Sequence, residues 1–157
     1  MSPSFDAGRG LFFVTVRETC ARFIRRPTPA TAALGDRTMG GTVQLVTDPK
    51  RSGALRAIDP TTGQRRWEIA YGDAGWAGVL ATAGGVVFSG DHEGGFFAAD
   101  SLTGRKLFTF QTGAALFAPP TSYAIDGRQY VVMPSGATLT AFSLPAAVRG
   151  PGSAGQR

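Results

Sequence analysis

The chain is poor in the residues that usually carry reactive chemistry: 157 residues contain one cysteine, one histidine and two lysines. One cysteine excludes an internal disulfide framework. Charged residues make up 17% against 43% hydrophobic, which excludes a disordered, self-repelling chain. No apolar run approaches the roughly 18 residues of a membrane-crossing helix, so no membrane span is expected. The start, Met-Ser-Pro-Ser-Phe-Asp, lacks the basic and then apolar stretches of an export signal. At this length a single domain is expected.

What the chain has instead is glycine (22), proline (10) and phenylalanine (11) scattered among short apolar runs, a composition that points to an all-β protein full of turns. The net charge of +5 is unevenly spread: residues 1–52 hold 8 basic and 4 acidic side chains, and residues 53–157 hold 8 and 7. The excess centres on Arg22, Arg25 and Arg26. No regular array of stacking aromatics accompanies these arginines, so no nucleic-acid partner is expected and a solvated loop is the simpler reading.

The sequence repeats itself. Ala57-Ile58-Asp59-Pro60-Thr61-Thr62-Gly63, followed by Trp67, returns as Ala98-Ala99-Asp100-Ser101-Leu102-Thr103-Gly104, followed by Phe108, at an offset of 41 residues. That period suits stacked four-stranded units such as propeller blades. In each copy an apolar strand enters, the Asp accepts hydrogen bonds from turn amides, and the Gly takes the positive-φ position before the chain reverses. Trp67 and Phe108 are then expected as core spacers between adjacent sheets. Further strands are expected over residues 78–82, 86–89 and 96–99, with a hairpin pairing residues 121–125 and 128–132 across Asp126-Gly127. Runs such as Val86 to Phe88, apolar at successive positions, suit strands covered on both faces.

Two segments fall outside this pattern: residues 20–52 read as a long loop or insertion, and residues 146–157 as a disordered tail. Residues 1–145 then supply about three blades. A propeller closes with at least four, so the sequence reads as an open arc of a larger one.

Local chemistry is sparse. Cys20 and His92 lie far apart, and a structural thiol and a solvated turn are the simpler readings than a nucleophile and its base. Asp91, His92 and Glu93 are consecutive on one hairpin tip and cannot easily converge on one ion. Asp59 and Asp100 hold equivalent positions in different repeats, which makes them turn acceptors and not an acid/base pair. Trp76 admits two readings, ordinary packing or an aromatic wall for a planar polar ligand.

The runs Gly53 to Gly63, Trp76-Ala77-Gly78-Val79-Leu80-Ala81-Thr82-Ala83-Gly84-Gly85-Val86-Val87-Phe88-Ser89-Gly90-Asp91, Phe96-Phe97-Ala98-Ala99-Asp100, Phe110-Gln111-Thr112-Gly113 and Asp126-Gly127-Arg128-Gln129-Tyr130-Val131 resemble the C-terminal blades of pyrroloquinoline quinone (PQQ)-dependent alcohol dehydrogenases. The resemblance covers roughly residues 2–145. It implies an eight-bladed propeller of four-stranded antiparallel sheets, holding PQQ with a calcium or lanthanide ion, oxidising small alcohols in the periplasm and passing electrons to a cytochrome or a quinone. Carried over residue by residue, it places Trp76 at the cofactor, and more loosely Ser135, Gly136 and Ala137. The family's catalytic aspartate and metal ligands fall before the matched region, so no catalytic and no metal-binding residue is expected here. Missing N-terminal blades are then the expected partner, and Met1 reads as an internal position of a longer frame, a misassigned start or the start of one half of a split protein. The alternative of a different class is a non-catalytic propeller remnant or interaction module.

Overall fold

The computed structural model describes residues 1–25, 40–46, 52–73 and 75–145. Alternation and turn chemistry produce thirteen strands among them, with no helix. The first sheet is β1 (Ser4–Asp6), β2 (Leu11–Glu18), β5 (Ser52–Ile58) and β6 (Arg65–Tyr71), ordered β1-β2-β5-β6. The second runs β7 (Leu80–Ala81), β8 (Val86–Gly90), β9 (Gly95–Asp100) and β10 (Lys106–Gln111). The third is β11 (Thr121–Ile125), β12 (Arg128–Ser135) and β13 (Thr138–Phe142). All pairings are antiparallel, between neighbours. Three stacked meanders, two of four strands and one of three, form the arc that the 41-residue repeat predicts.

The repeated turn is built as its residues require. Asp59 accepts from the Thr61 amide (2.9 Å) and hydroxyl (2.6 Å), and Asp100 from the amide (2.9 Å) and hydroxyl (2.8 Å) of Thr103. In both copies the strand leaving the turn carries an extra residue, Arg66 or Leu107, before Trp67 or Phe108 resumes pairing. The predicted hairpin across Asp126-Gly127 pairs Thr121 with Val132 through to Ile125 with Arg128.

Two cores fill the seams. Between the first and second sheets lie Leu11, Phe13, Leu55, Ala57, Tyr71, Val79, Val87, Phe97 and Ala99, with Trp67 packed against them. Between the second and third lie Ala77, Phe96, Leu116, Val131 and Met133. Phe96 and Phe97 are consecutive and both buried, one in each core. Strand β9 is therefore covered on both faces, as its apolar run predicts.

The innermost strands converge. The amide of Val79 donates to Ser2 O (2.8 Å), and the Ala81 amide to Ser4 Oγ (3.0 Å), joining β7 to β1. A Cβ on Gly78 would lie 2.6 Å from Pro119 Cβ and 3.1 Å from the Ser2 amide nitrogen. This glycine lets three segments meet on the inner side of the arc.

Three expectations change. The segment 20–52, expected as a long loop or insertion, carries a two-stranded hairpin, β3 (Ala21–Arg25) with β4 (Gly41–Leu45), among its described residues. It departs from the first sheet between Glu18 and Ser52, which pair directly. Phe108 is 44% exposed where the repeat predicts a core spacer. Trp67 reaches across to a complete sheet, donating from Nε1 to Ser101 O (2.9 Å), whereas Phe108 faces a sheet with only three strands and meets Phe142 edge-on. Only Leu80–Ala81 of the expected strand 78–82 pairs as a strand, because Gly78 and Val79 serve the inner convergence. The tail expected over 146–157 lies outside the described residues.

Candidate functional site

An up-and-down meander sorts its connections onto two ends. The repeated Asp-to-Gly turns occupy one end. The other carries the links between successive sheets, residues 72–79 and 112–120, together with the turns at residues 91–94 and 136–137 and the departure point of the β3–β4 hairpin. Hydrogen bonds tie this second end together. The Thr112 amide donates to Gly94 O (2.9 Å), Gln111 Nε2 to Glu93 O (3.1 Å), and Thr15 Oγ1 to Ala77 O (2.9 Å).

Trp76, the first of the predicted site residues, stands on this end. Its neighbour Ala77 is fully buried in the second core, while the indole is 43% exposed. The Arg17 guanidinium carbon lies 3.7 Å from the indole centroid, at cation–π distance. Arg17 Nε is buried and has no hydrogen-bond partner among the described residues. Among the described residues Arg17 meets no carboxylate; the adjacent Glu18 turns to Arg56 at 2.9 Å.

Ser135, Gly136 and Ala137 reach the same end. Ser135 is buried and its hydroxyl bonds to Thr112 Oγ1 (2.7 Å) and donates to Ala114 O (3.0 Å). Its hydroxyl is thus used in fixing the turn, and the exposed part of the triplet is Gly136-Ala137. No hydrogen bond or ring contact among the described residues joins Trp76 to Ser135; they share an end of the arc and not a contact.

The structure adds residues that the sequence did not single out. Arg17 is one, because nothing in the pattern of β2 tells that its last turnward cation lies over an indole from a different sheet link. His92 is another. Its ring sits edge-on to Phe117 at 5.4 Å, and its buried Nδ1 has no hydrogen-bond partner. The turn around it is held by Asp91 Oδ1, which accepts from the amides of Glu93 (3.0 Å) and Gly95 (2.7 Å).

The electrostatic perturbations lie elsewhere. Hydrogen bonds from Thr61 and Thr103 lower the Asp59 and Asp100 carboxyls below the ordinary range at the opposite end. Burial pushes the Tyr71 phenol up to about 12, in the seam between the first two sheets. Cys20 is exposed. Among the described residues no group of three or more His, Cys, Asp or Glu is placed to hold a metal ion, and no helix is long and apolar enough to cross a membrane. A shallow cavity of about 250 Å³ lies along β9 and β10, lined by residues including Asp91, Phe96, Lys106 and Gln111. None of the four predicted site residues lines it.

The PQQ_2 family, described as outer membrane protein assembly factor BamB, matches residues 21–147. The quinoprotein alcohol dehydrogenase PedE of Pseudomonas putida is 49% identical over 79 residues, 50% of this chain and 12% of that protein. The lanthanide-dependent methanol dehydrogenase of Methylorubrum extorquens is 32% identical over 136 residues, 85% of this chain and 22% of that protein. Among solved structures, a quinohemoprotein alcohol dehydrogenase from Pseudomonas putida superposes with a TM-score of 0.76 at 27% identity, over 88% of this chain and 22% of its own. The chain thus spans between 12% and 22% of the length of these relatives.

Proposed function

The chain belongs to the PQQ_2 family and matches part of the quinoprotein alcohol dehydrogenase propeller, and on that premise we propose that it supplies blades and one wall of the PQQ pocket to an enzyme oxidising the CH–OH group of small alcohols. The observation that carries this reading is Trp76: a half-exposed indole, anchored by buried Ala77, on the end of the arc where the inter-sheet links gather.

The residues present fit a planar, anionic, polar-edged group in part. An indole offers such a group aromatic surface or its N–H, the orphaned Nε of Arg17 beside it marks unsatisfied hydrogen-bonding capacity, and Gly136-Ala137 leave exposed backbone on the same end. Bound PQQ supplies a two-electron acceptor for the hydrogen leaving the alcohol carbon. Trp76 presents its ring to the group and excludes water from one side. The bond from Ser135 to Thr112 fixes the turn, so that Gly136 and Ala137 keep their place. The calcium or lanthanide ion of the family finds no ligand cluster among the described residues, so no metal-dependent step is assigned to this chain. Neither is abstraction of the alcohol proton.

The partners follow from what the arc leaves open. The outward face of the third sheet shows Tyr123, Ile125 and Leu139, at 41%, 55% and 74% exposure. Further blades of a propeller like that of the longer relatives suit that face. A small alcohol as substrate, a cytochrome or quinone as electron acceptor, and the periplasm as location come with the same reading.

The test is a titration of the purified chain with PQQ, followed by indole emission in the wild type and in Trp76→Phe. Quenching that disappears in the variant supports the wall assignment. Unchanged emission in the wild type, or equal quenching in both proteins, would falsify it.

A further inference from the structure

Arg17 is half-buried, and its surroundings differ from those of the other arginines near it. Arg9 pairs with Asp6 at 3.0 Å, and Arg56 and Arg65 share Glu68. Arg17 instead lies over Trp76, with Nε sealed from solvent and without an acceptor. A charge partly removed from water is normally compensated by an opposite charge or a full set of hydrogen bonds. The indole quadrupole compensates only in part.

Three features of the placement point in one direction. The guanidinium belongs to β2, near the strand end from which the chain leaves for the β3–β4 hairpin, so its backbone is held by the Arg17–Gly53 pairing. The adjacent carboxylate, Glu18, is drawn away to Arg56, and no ion pair joins Arg17 to a carboxylate among the described residues. The end of the arc is the one that carries Trp76, Gly136 and Ala137.

We propose that Arg17 is an anion receptor for the ligand that Trp76 lines: its guanidinium caps one face of the indole and offers its remaining N–H groups to a carboxylate of that ligand. A planar fork suits a carboxylate in two parallel hydrogen bonds, which a lysine cannot reproduce. The assignment rests on the reading of this end as a PQQ wall and deepens it, since the ring carboxylates of PQQ are the anions concerned. Because one indole face is taken by Arg17, Trp76 meets the ligand with its other face or its edge.

The test compares two probes on the same full chain, PQQ and its neutral trimethyl ester, both titrated by indole quenching. Arg17→Met keeps an apolar stem over the indole and removes the charge; Arg17→Lys restores charge without the fork. Far-UV circular dichroism checks that both fold as the wild type does. Removing a charge-assisted hydrogen bond in this way should weaken PQQ binding by about tenfold or more in Arg17→Met, with partial recovery in Arg17→Lys and an effect on the ester below about twofold. Two results overturn the proposal while leaving the wall reading intact: Arg17→Met binding PQQ like the wild type, or losing both probes equally. The latter makes Arg17 a support for Trp76 alone. If the wild type is quenched by neither probe, the wall reading itself fails and takes the proposal with it.

Discussion

Gly63 and Gly104 occupy the same position in the two clear repeats, with φ of 72° and 73°, yet they meet different surroundings. A Cβ on Gly63 would enter open space, whereas one on Gly104 would lie 2.8 Å from Cδ2 of the Trp67 ring. Both alanine substitutions incur the left-handed penalty, about 1–2 kcal/mol. Only Gly104→Ala must also unseat the indole and its 2.9 Å bond to Ser101 O, adding roughly 1–3 kcal/mol. Urea denaturation should therefore rank Gly104→Ala below Gly63→Ala, and equal midpoints for the two variants contradict the indole seat. The same turns predict a titration shift. Thr103 holds the Asp100 carboxyl below its ordinary value of 3.8 chiefly through its hydroxyl, so Thr103→Val should raise the Asp100 midpoint in a carbon-detected NMR titration. A depressed carboxyl stabilises the fold above its unfolded pKa, and this contribution disappears as pH falls through the folded value. The Asp100 carboxyl lies in a surface turn where solvent screens it, so the readout is the midpoint itself.

At the scale of elements, the seam between the first two sheets contains a buried phenol that governs alkaline behaviour. Tyr71, on the last residue of β6, is raised from 10.0 to about 12 by burial, with Ser89 Oγ at 3.3 Å. The fold favours the neutral form. Its contribution is fully present below pH 10, the unfolded pKa, and is lost as pH rises to about 12, roughly 3 kcal/mol across that window. Tyr71→Phe should shift the alkaline unfolding midpoint upward, and a phenolate absorbance step near pH 10 that Tyr71→Phe removes from the folded chain contradicts the burial. The elements also divide by how plainly the sequence announces them. Asp59 to Gly63 and Asp100 to Gly104 were legible because side-chain acceptors and positive φ leave a fixed residue pattern. Apolar residues at successive positions, as in Val86 to Phe88, pointed to strands covered on both faces, and Phe96 and Phe97 in β9 show that arrangement. The hairpin of β3 and β4 did not show, because every residue of β3 is exposed and no inward-outward alternation marks it. Of the candidate site, Trp76 carried two readings from the sequence, between which only resemblance leaned towards a ligand, and Arg17 did not show at all, since its setting depends on an indole 59 positions away.

The whole molecule is an arc, and its ends follow different rules from its seams. Each interior sheet face is met by another sheet, whereas the outward face of the third sheet is met by none among the described residues, and β13 pairs only with β12. The complete sheets have a fourth strand where the third has a bare edge, beside Phe108 and Phe110, both edge-on to Phe142. An unpaired edge next to exposed apolar side chains is a template for association. The isolated chain should therefore self-associate with rising concentration in analytical ultracentrifugation. Replacing Ile125 and Leu139 by lysine should reduce that association without changing the far-UV spectrum, because both side chains already face water. Blades that close the propeller would compete for the same face, so their addition to the wild type should yield a single one-to-one species. The lysine variant should resist such assembly. A chain that stays monomeric at every concentration, with or without the lysines, places the docking surface elsewhere.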